Sequence, residues 1–193
     1  MKVFIGWSGE TSQKIAALLQ SWLPTVNPHI ETFTEFNYIN AETLNAVDNF
    51  PPLDCALLCV TPDCARSPWL TFEAGALMGM NVKRLYLILF GTPSLSLSAP
   101  LLTLGNVRFD RAGIRNVTWE LNLLCGKDAL PEKELDRLFN GLYPWLEENV
   151  ENLLRDLPAP EEEPDASNAN LQLEMRALNR KLDTLLSRLP GRL

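Results

Sequence analysis

Apolar residues along this chain fall into two rhythms. Val3–Trp7, Asp54–Val60 and Arg84–Phe90 are short runs that are apolar almost throughout, the pattern of strands covered on both faces. Ile30–Phe36 alternates, with Thr32 and Thr34 set against Phe33 and Glu35, and reads as a further strand. Between these runs the spacing changes to that of a helix. Ile15, Leu18, Leu19, Trp22 and Leu23 fall on one helical face across residues 11–23, and Pro24 is the expected stop. Asn37–Phe50 is polar, with a helical turn or two expected over Ala41–Val47, and Pro51-Pro52 resets the chain. A helix is predicted from Ser67 to about Met80, in which Gly75 and Gly79 leave room for a close neighbour. Gly91–Pro100 reads as a loop, Leu101–Leu104 as a helical turn, and Asn106–Phe109 as a short strand at the sheet edge. Strands alternating with helices predict an α/β fold, a parallel sheet of about five strands flanked by helices on both faces. Ligands of such sheets sit at the carboxyl ends of the strands. Here that edge gathers Trp7-Ser8-Gly9, Phe36-Asn37 and the segment Thr61–Glu73.

The rest of the chain is helical in pattern. Leu135, Leu138, Leu142, Leu146, Val150, Leu153 and Leu157 make residues 131–157 a long amphipathic extension, with a kink or a break expected at Pro144. Residues 158–170 are rich in Pro, Glu, Asp, Ser and Asn and read as a flexible acidic linker. Leu171, Met175, Leu178, Leu182, Leu185 and Leu189 then form a heptad seam of about three heptads over 171–190. Two readings of that seam stand side by side: a short coiled coil that sets an oligomer, and an amphipathic helix folded back on its own domain. The organisation expected is therefore an α/β domain over 1–130, a helical extension over 131–157, the linker, and the terminal helix.

Composition narrows the function classes. A hydrophobic fraction of 46% supports a packed core. A net charge of −7 offers no basic stripe for nucleic acid. No apolar run approaches the roughly 20 residues of a membrane span. The N-terminus enters Lys2-Val3-Phe4-Ile5 without a signal-peptide pattern, so a cytoplasmic location is expected. Of the four cysteines, Cys55 and Cys59 lie in a buried strand as small apolar residues. Their spacing fits no zinc signature and His29 is the lone histidine, so no metal is expected. The chain has no Walker loop, no Gly-x-Gly-x-x-Gly and no Gly-x-Ser-x-Gly elbow. A phosphoacceptor receiver domain would carry Asp at the end of the third strand, where Val60-Thr61 stands.

The chemistry-bearing stretch is Ser67-Pro68-Trp69-Leu70-Thr71-Phe72-Glu73-Ala74-Gly75-Ala76-Leu77. Ser67 suits a helix cap and Pro68 the first helical position. Trp69 and Glu73, four apart, share a helix face. An acid on so apolar a segment must be paired, solvated in a cleft, or used. Ser67 with Trp69-x-x-x-Glu73 resembles the catalytic signature of TIR domains (the Toll/interleukin-1 receptor family) in its bacterial branch. Val3-Phe4-Ile5-Gly6-Trp7-Ser8-Gly9 is similar to that family's first strand and loop. The resemblance covers roughly the first two-thirds of the chain. It implies a flavodoxin-like fold and cleavage of the nicotinamide–ribose bond of NAD+, with NAD+ as substrate and no cofactor. It also implies activation by oligomeric assembly in bacterial antiphage defence, through TIR contacts together with residues 171–189, and a triggering partner.

In that reading Glu73 is catalytic. Trp7, Ser8, Gly9, Phe36, Asn37, Ser67 and Trp69 bind substrate, with Gly9 allowing close backbone approach and Trp69 walling the carboxylate or orienting the ribose. The helix N-terminus would favour ionised Glu73 and an apolar wall would oppose it. Glu73 as a salt-bridged structural acid, and Ser67 as a cap only, are the plain alternatives. Two departures bear on the resemblance: Asn37-Tyr38-Ile39-Asn40-Ala41-Glu42 lacks the Arg-Asp and Pro-Gly pattern of animal TIR domains, and Gly6 stands where the family often has Ser. Two rival functions are a catalytically silent TIR scaffold and a glycosyl transferase acting on free nucleosides.

Overall fold

The structure, a computed structural model, describes residues 1–34, 53–80, 82–155 and 157. Its sheet contains β1 (Lys2–Trp7), β2 (Glu31–Phe33), β3 (Cys55–Val60), β4 (Arg84–Leu89) and β5 (Asn106–Arg108), all parallel, in the order β2-β1-β3-β4-β5. This is the flavodoxin-like order, and the direction of winding reverses between β1 and β3. In register, Gly6 lies beside Leu58 and Trp7 beside Cys59.

Both faces of the sheet are covered, which is why β3 is buried at every residue. On one face Val3, Ile5, Cys55, Leu57, Cys59 and Ile88 pack against α1 (Glu10–Val26), α4 (Arg111–Leu124) and α5 (Glu132–Arg155). On the other, Phe4, Ala56, Leu58, Val60, Leu87 and Leu89 pack against Leu70, Ala74 and Leu77 of α2 (Pro68–Gly79) and Leu101 of α3 (Ala99–Leu102). Met1–Leu157 form one compact unit. The expected helix at Ala41–Val47, the linker at 158–170 and the seam at 171–190 lie outside the described residues.

The structure departs from the sequence pattern in four places. α1 continues through Pro24 to Val26. Proline at 24 deprives the Gln20 carbonyl of its helical donor, and the Thr32 hydroxyl donates to that carbonyl at 3.0 Å instead. α5 runs through Pro144 as one helix of 24 residues, so of the kink or break expected there the break does not occur. Its buried stripe of Leu135, Phe139, Tyr143, Leu146 and Val150 belongs to the same core as Ile15, Leu19 and Trp22 of α1. Trp22 Nε1 donates to the Leu142 carbonyl at 3.2 Å, and Arg115 of α4 forks onto Asp136 at 2.9 and 3.1 Å. Third, α4 was not anticipated. The Asp110 carboxylate caps it by accepting from the Gly113 amide at 2.7 Å. Gly113 is required there, because a Cβ would collide with the Arg108 carbonyl. Fourth, Gly75 and Gly79 face open space and admit no close neighbour among the described residues.

Candidate active site at the switch point of the sheet

The direction of winding reverses between β1 and β3, the switch point at which open parallel sheets take ligands, and two loops leave the carboxyl ends of these strands. After β1 the chain turns through Ser8 and Gly9. Gly9 has φ 95°, a left-handed conformation suited to glycine, and lies close to the Asp63 carboxylate. After β3 the chain passes through Thr61–Ser67 into α2. Cys64 ties this second loop into a knot: its Sγ accepts from the Thr61 amide at 3.2 Å and lies 3.2 Å from the Thr61 hydroxyl. The Cys64 amide donates to the Thr61 carbonyl at 3.0 Å, and the Ser67 amide to the Cys64 carbonyl at 2.9 Å. Burial pushes the Cys64 and Cys59 thiols up, so both remain neutral.

The two loops meet through their serines. Ser67 stands at the N-cap of α2 but makes no capping bond with its side chain. Its hydroxyl lies 2.8 Å from the Ser8 hydroxyl. Both serines are half-buried.

Glu73 follows on α2. Leu70, Glu73, Ala74 and Leu77 recur at helical spacing and are the buried residues of α2. The carboxylate is therefore turned toward the sheet, and the residue is only 4% exposed. It occupies a niche that exists because residue 6 is glycine. A Cβ at Gly6 would stand 2.6 Å from Glu73 Oε2 and would also collide with the Leu58 side chain. Oε2 has no hydrogen-bond partner among the described residues. Burial without a partner pushes the Glu73 carboxyl up from 4.5 to about 8. Of the two opposed influences expected on this acid, the apolar surroundings win. Glu73 stands beyond the first turn of α2, where the field of the helix N-terminus has fallen off.

The other expected site residues distribute unevenly. Trp69 is 50% exposed and packs on Phe72, itself 54% exposed, with ring centroids 5.6 Å apart. Leu58 and the Glu73 carboxylate both crowd the position a Gly6 Cβ would take. Trp7 packs, partly buried, against the core of α1, α4 and α5, the face of the sheet opposite Glu73. Phe36 and Asn37 lie outside the described residues. Three residues important to the site were not singled out from sequence for this role: Gly6, Cys64 and Ser12. Among the described residues no three His, Cys, Asp or Glu side chains cluster as metal ligands, and no helix is long and apolar enough to cross a membrane.

The arrangement as a whole is a buried carboxyl without a counter-charge on α2 and a pair of hydroxyls joining the loops after β1 and β3, the edge where open parallel sheets hold nucleotides. Such a carboxyl is suited to a ligand that arrives with, or develops, positive charge. No family model matches this sequence, and no curated protein matches it.

Proposed function

We propose that this protein is an NAD+ nucleosidase of the TIR type, which cleaves the bond between nicotinamide and ribose. The observation that carries the reading is the buried Glu73 carboxyl, its Oε2 without a hydrogen-bond partner, on the helix that follows β3, whose N-cap Ser67 meets Ser8 of the loop after β1. The leaving nicotinamide ring is cationic in NAD+. When its bond to C1′ of the ribose breaks, the bonding electron pair stays on the ring nitrogen and nicotinamide departs neutral. No general acid is needed. The positive charge passes to the ribose as an oxocarbenium ion, and this is the charge Glu73 stabilises. Water then adds to C1′ and loses a proton, giving ADP-ribose, or a nitrogen of the adenine ring closes on C1′ to give a cyclic isomer.

In the empty site Glu73 is largely protonated at neutral pH, because its carboxyl lies near 8. The cationic substrate supplies the missing counter-charge and draws it toward the carboxylate. Ser8 and Ser67 hold ribose hydroxyls, and the exposed Trp69 ring offers a stacking face. Assembly through contacts of this domain and through residues 171–189 gates the reaction, with the triggering partner of a defence system upstream.

A second reading, a silent scaffold that signals by contact, draws support from α2. Its sole charged residue is the buried Glu73, while Trp69, Phe72 and Met78 are exposed on its surface. One experiment separates the two. Nicotinamide release from NAD+ is measured with wild type and Glu73→Gln at several protein concentrations. Release that requires Glu73 and climbs faster than linearly with concentration supports the assembly-gated enzyme. Equal release from both proteins sinks the role of Glu73. A Glu73→Gln protein that still signals in cells, with no release from wild type, favours the scaffold.

A further inference from the structure

We infer that Ser12, a fully buried serine in the first turn of α1, is a positioning residue that holds the ribose-reading hydroxyls in place. The inference rests on the nucleosidase reading. Ser12 Oγ accepts from the Ser8 amide at 3.0 Å and donates to the Ser8 carbonyl at 2.6 Å, with the Gly9 carbonyl at 3.1 Å as a second acceptor. One hydroxyl thus clamps both backbone polar groups of Ser8. A hydroxyl offers one proton and two lone pairs, and here the proton serves the Ser8 and Gly9 carbonyls while a lone pair receives the Ser8 amide.

The consequence reaches the switch point through Ser8. The turn at Ser8–Gly9 has no other clamp of this kind, since Gly9 has no side chain and the N-terminus of α1 carries no side-chain cap. The Ser8 hydroxyl in turn sets the Ser67 hydroxyl, 59 residues away in sequence and 2.8 Å away in space. Ser12 never touches the substrate. It restricts where the two hydroxyls can stand, and pre-organised hydroxyls bind a ribose without the loss of ordering that free ones suffer. The contact is to ribose hydroxyls in ground state and transition state alike, so loss of positioning appears in KM rather than kcat.

The test uses the full chain and NAD+ itself. Ser12→Ala is expected to raise KM about tenfold with kcat within about threefold, and Ser8→Ala to do the same. The double variant Ser8→Ala/Ser12→Ala is expected to resemble either single variant, because both act through one hydroxyl pair. Ile15→Val, one turn further along α1 and in the core, serves as the structural control: it lowers the unfolding midpoint and leaves KM unchanged. Should the alanine variant not fold, Ser12→Cys, similar in size with a weaker donor, is expected to raise KM in the same direction. A wild-type KM in Ser12→Ala overturns the inference, as do single effects that multiply in the double variant or an equal rise in Ile15→Val. A wild-type protein that cleaves no NAD+ overturns the functional reading first, and is told apart because no variant enters that result.

Discussion

Replacing Glu73 by glutamine should raise stability relative to the wild type as the pH rises, from no gain at pH 5 to a clear gain at pH 9. Below about pH 4.5 the carboxyl is neutral in the folded and unfolded chains alike and contributes no difference. Above that point the unfolded chain releases its proton, while the folded chain holds it until the pH nears 8. The folded state then binds more protons than the unfolded state, so stability falls as pH rises through this window and levels off above it. A carboxyl moved from 4.5 to about 8 corresponds to a total of about 5 kcal/mol. Between pH 5 and pH 9 the wild type should therefore lose about 4 kcal/mol at this one site, which glutamine does not lose. The buried amide adds a constant cost of about 1–3 kcal/mol for its own unpaired groups, independent of pH. The assay is urea unfolding of both proteins at pH 5, 7 and 9, analysed as the difference between them so that every other titrating group cancels. At pH 5 glutamine should be equal or slightly worse, and by pH 9 it should be clearly the more stable protein. A difference that stays flat across this range would show that Glu73 is not held neutral by burial, and the description of its niche would be wrong.

Three further outcomes follow from the same geometry. If the carboxylate is the working form, kcat/KM for NAD+ should climb about tenfold per pH unit below 8 and level off above it, and a profile flat from pH 6 to 9 would remove ionised Glu73 from the mechanism. Gly6→Ala should cost about 1–3 kcal/mol by overpacking against Leu58 and the carboxylate; in a Glu73→Ala background, thermal unfolding should show much of that cost relieved. Asp110→Ala removes the cap of α4 and should cost about 1 kcal/mol in denaturant unfolding, with nicotinamide release per folded molecule unchanged.

Much of the scaffold was legible because its signals are local. A strand buried on both faces must be apolar, and β3 is so throughout, β1 and β4 apart from Lys2 and Arg84 at their starts. The start of α2 is written in Ser67-Pro68, where a proline fits without an orphaned amide. The α4 signal was present as well, in Asp110 followed by Ile114, Val117 and Leu121 at helical spacing, but Gly113 and Asn116 weaken the pattern. Pro24 reads as a stop under local rules, and Pro144 as a kink or a break. The stop at Pro24 fails because a hydroxyl from another element, Thr32, serves the carbonyl the proline abandons. Both helices are held by burial along their length rather than by propensity.

The site divides along the same line. The residue types were visible in the chain: an acid on an apolar helix, serines at two strand ends, and a glycine in the first strand. Their mutual arrangement was not. That Gly6 vacates the space Glu73 fills, that Ser67 bonds Ser8 instead of capping its helix, and that Trp7 points to the opposite layer are outcomes of strand register and helix rotation. These follow from packing side chains far apart in sequence to a common density. The protonation of Glu73 belongs to this second class most plainly. Sequence supplies a carboxyl with an ordinary value of 4.5, and only the enclosure built by β1, β3 and α2 takes away the water and partners that would keep it charged.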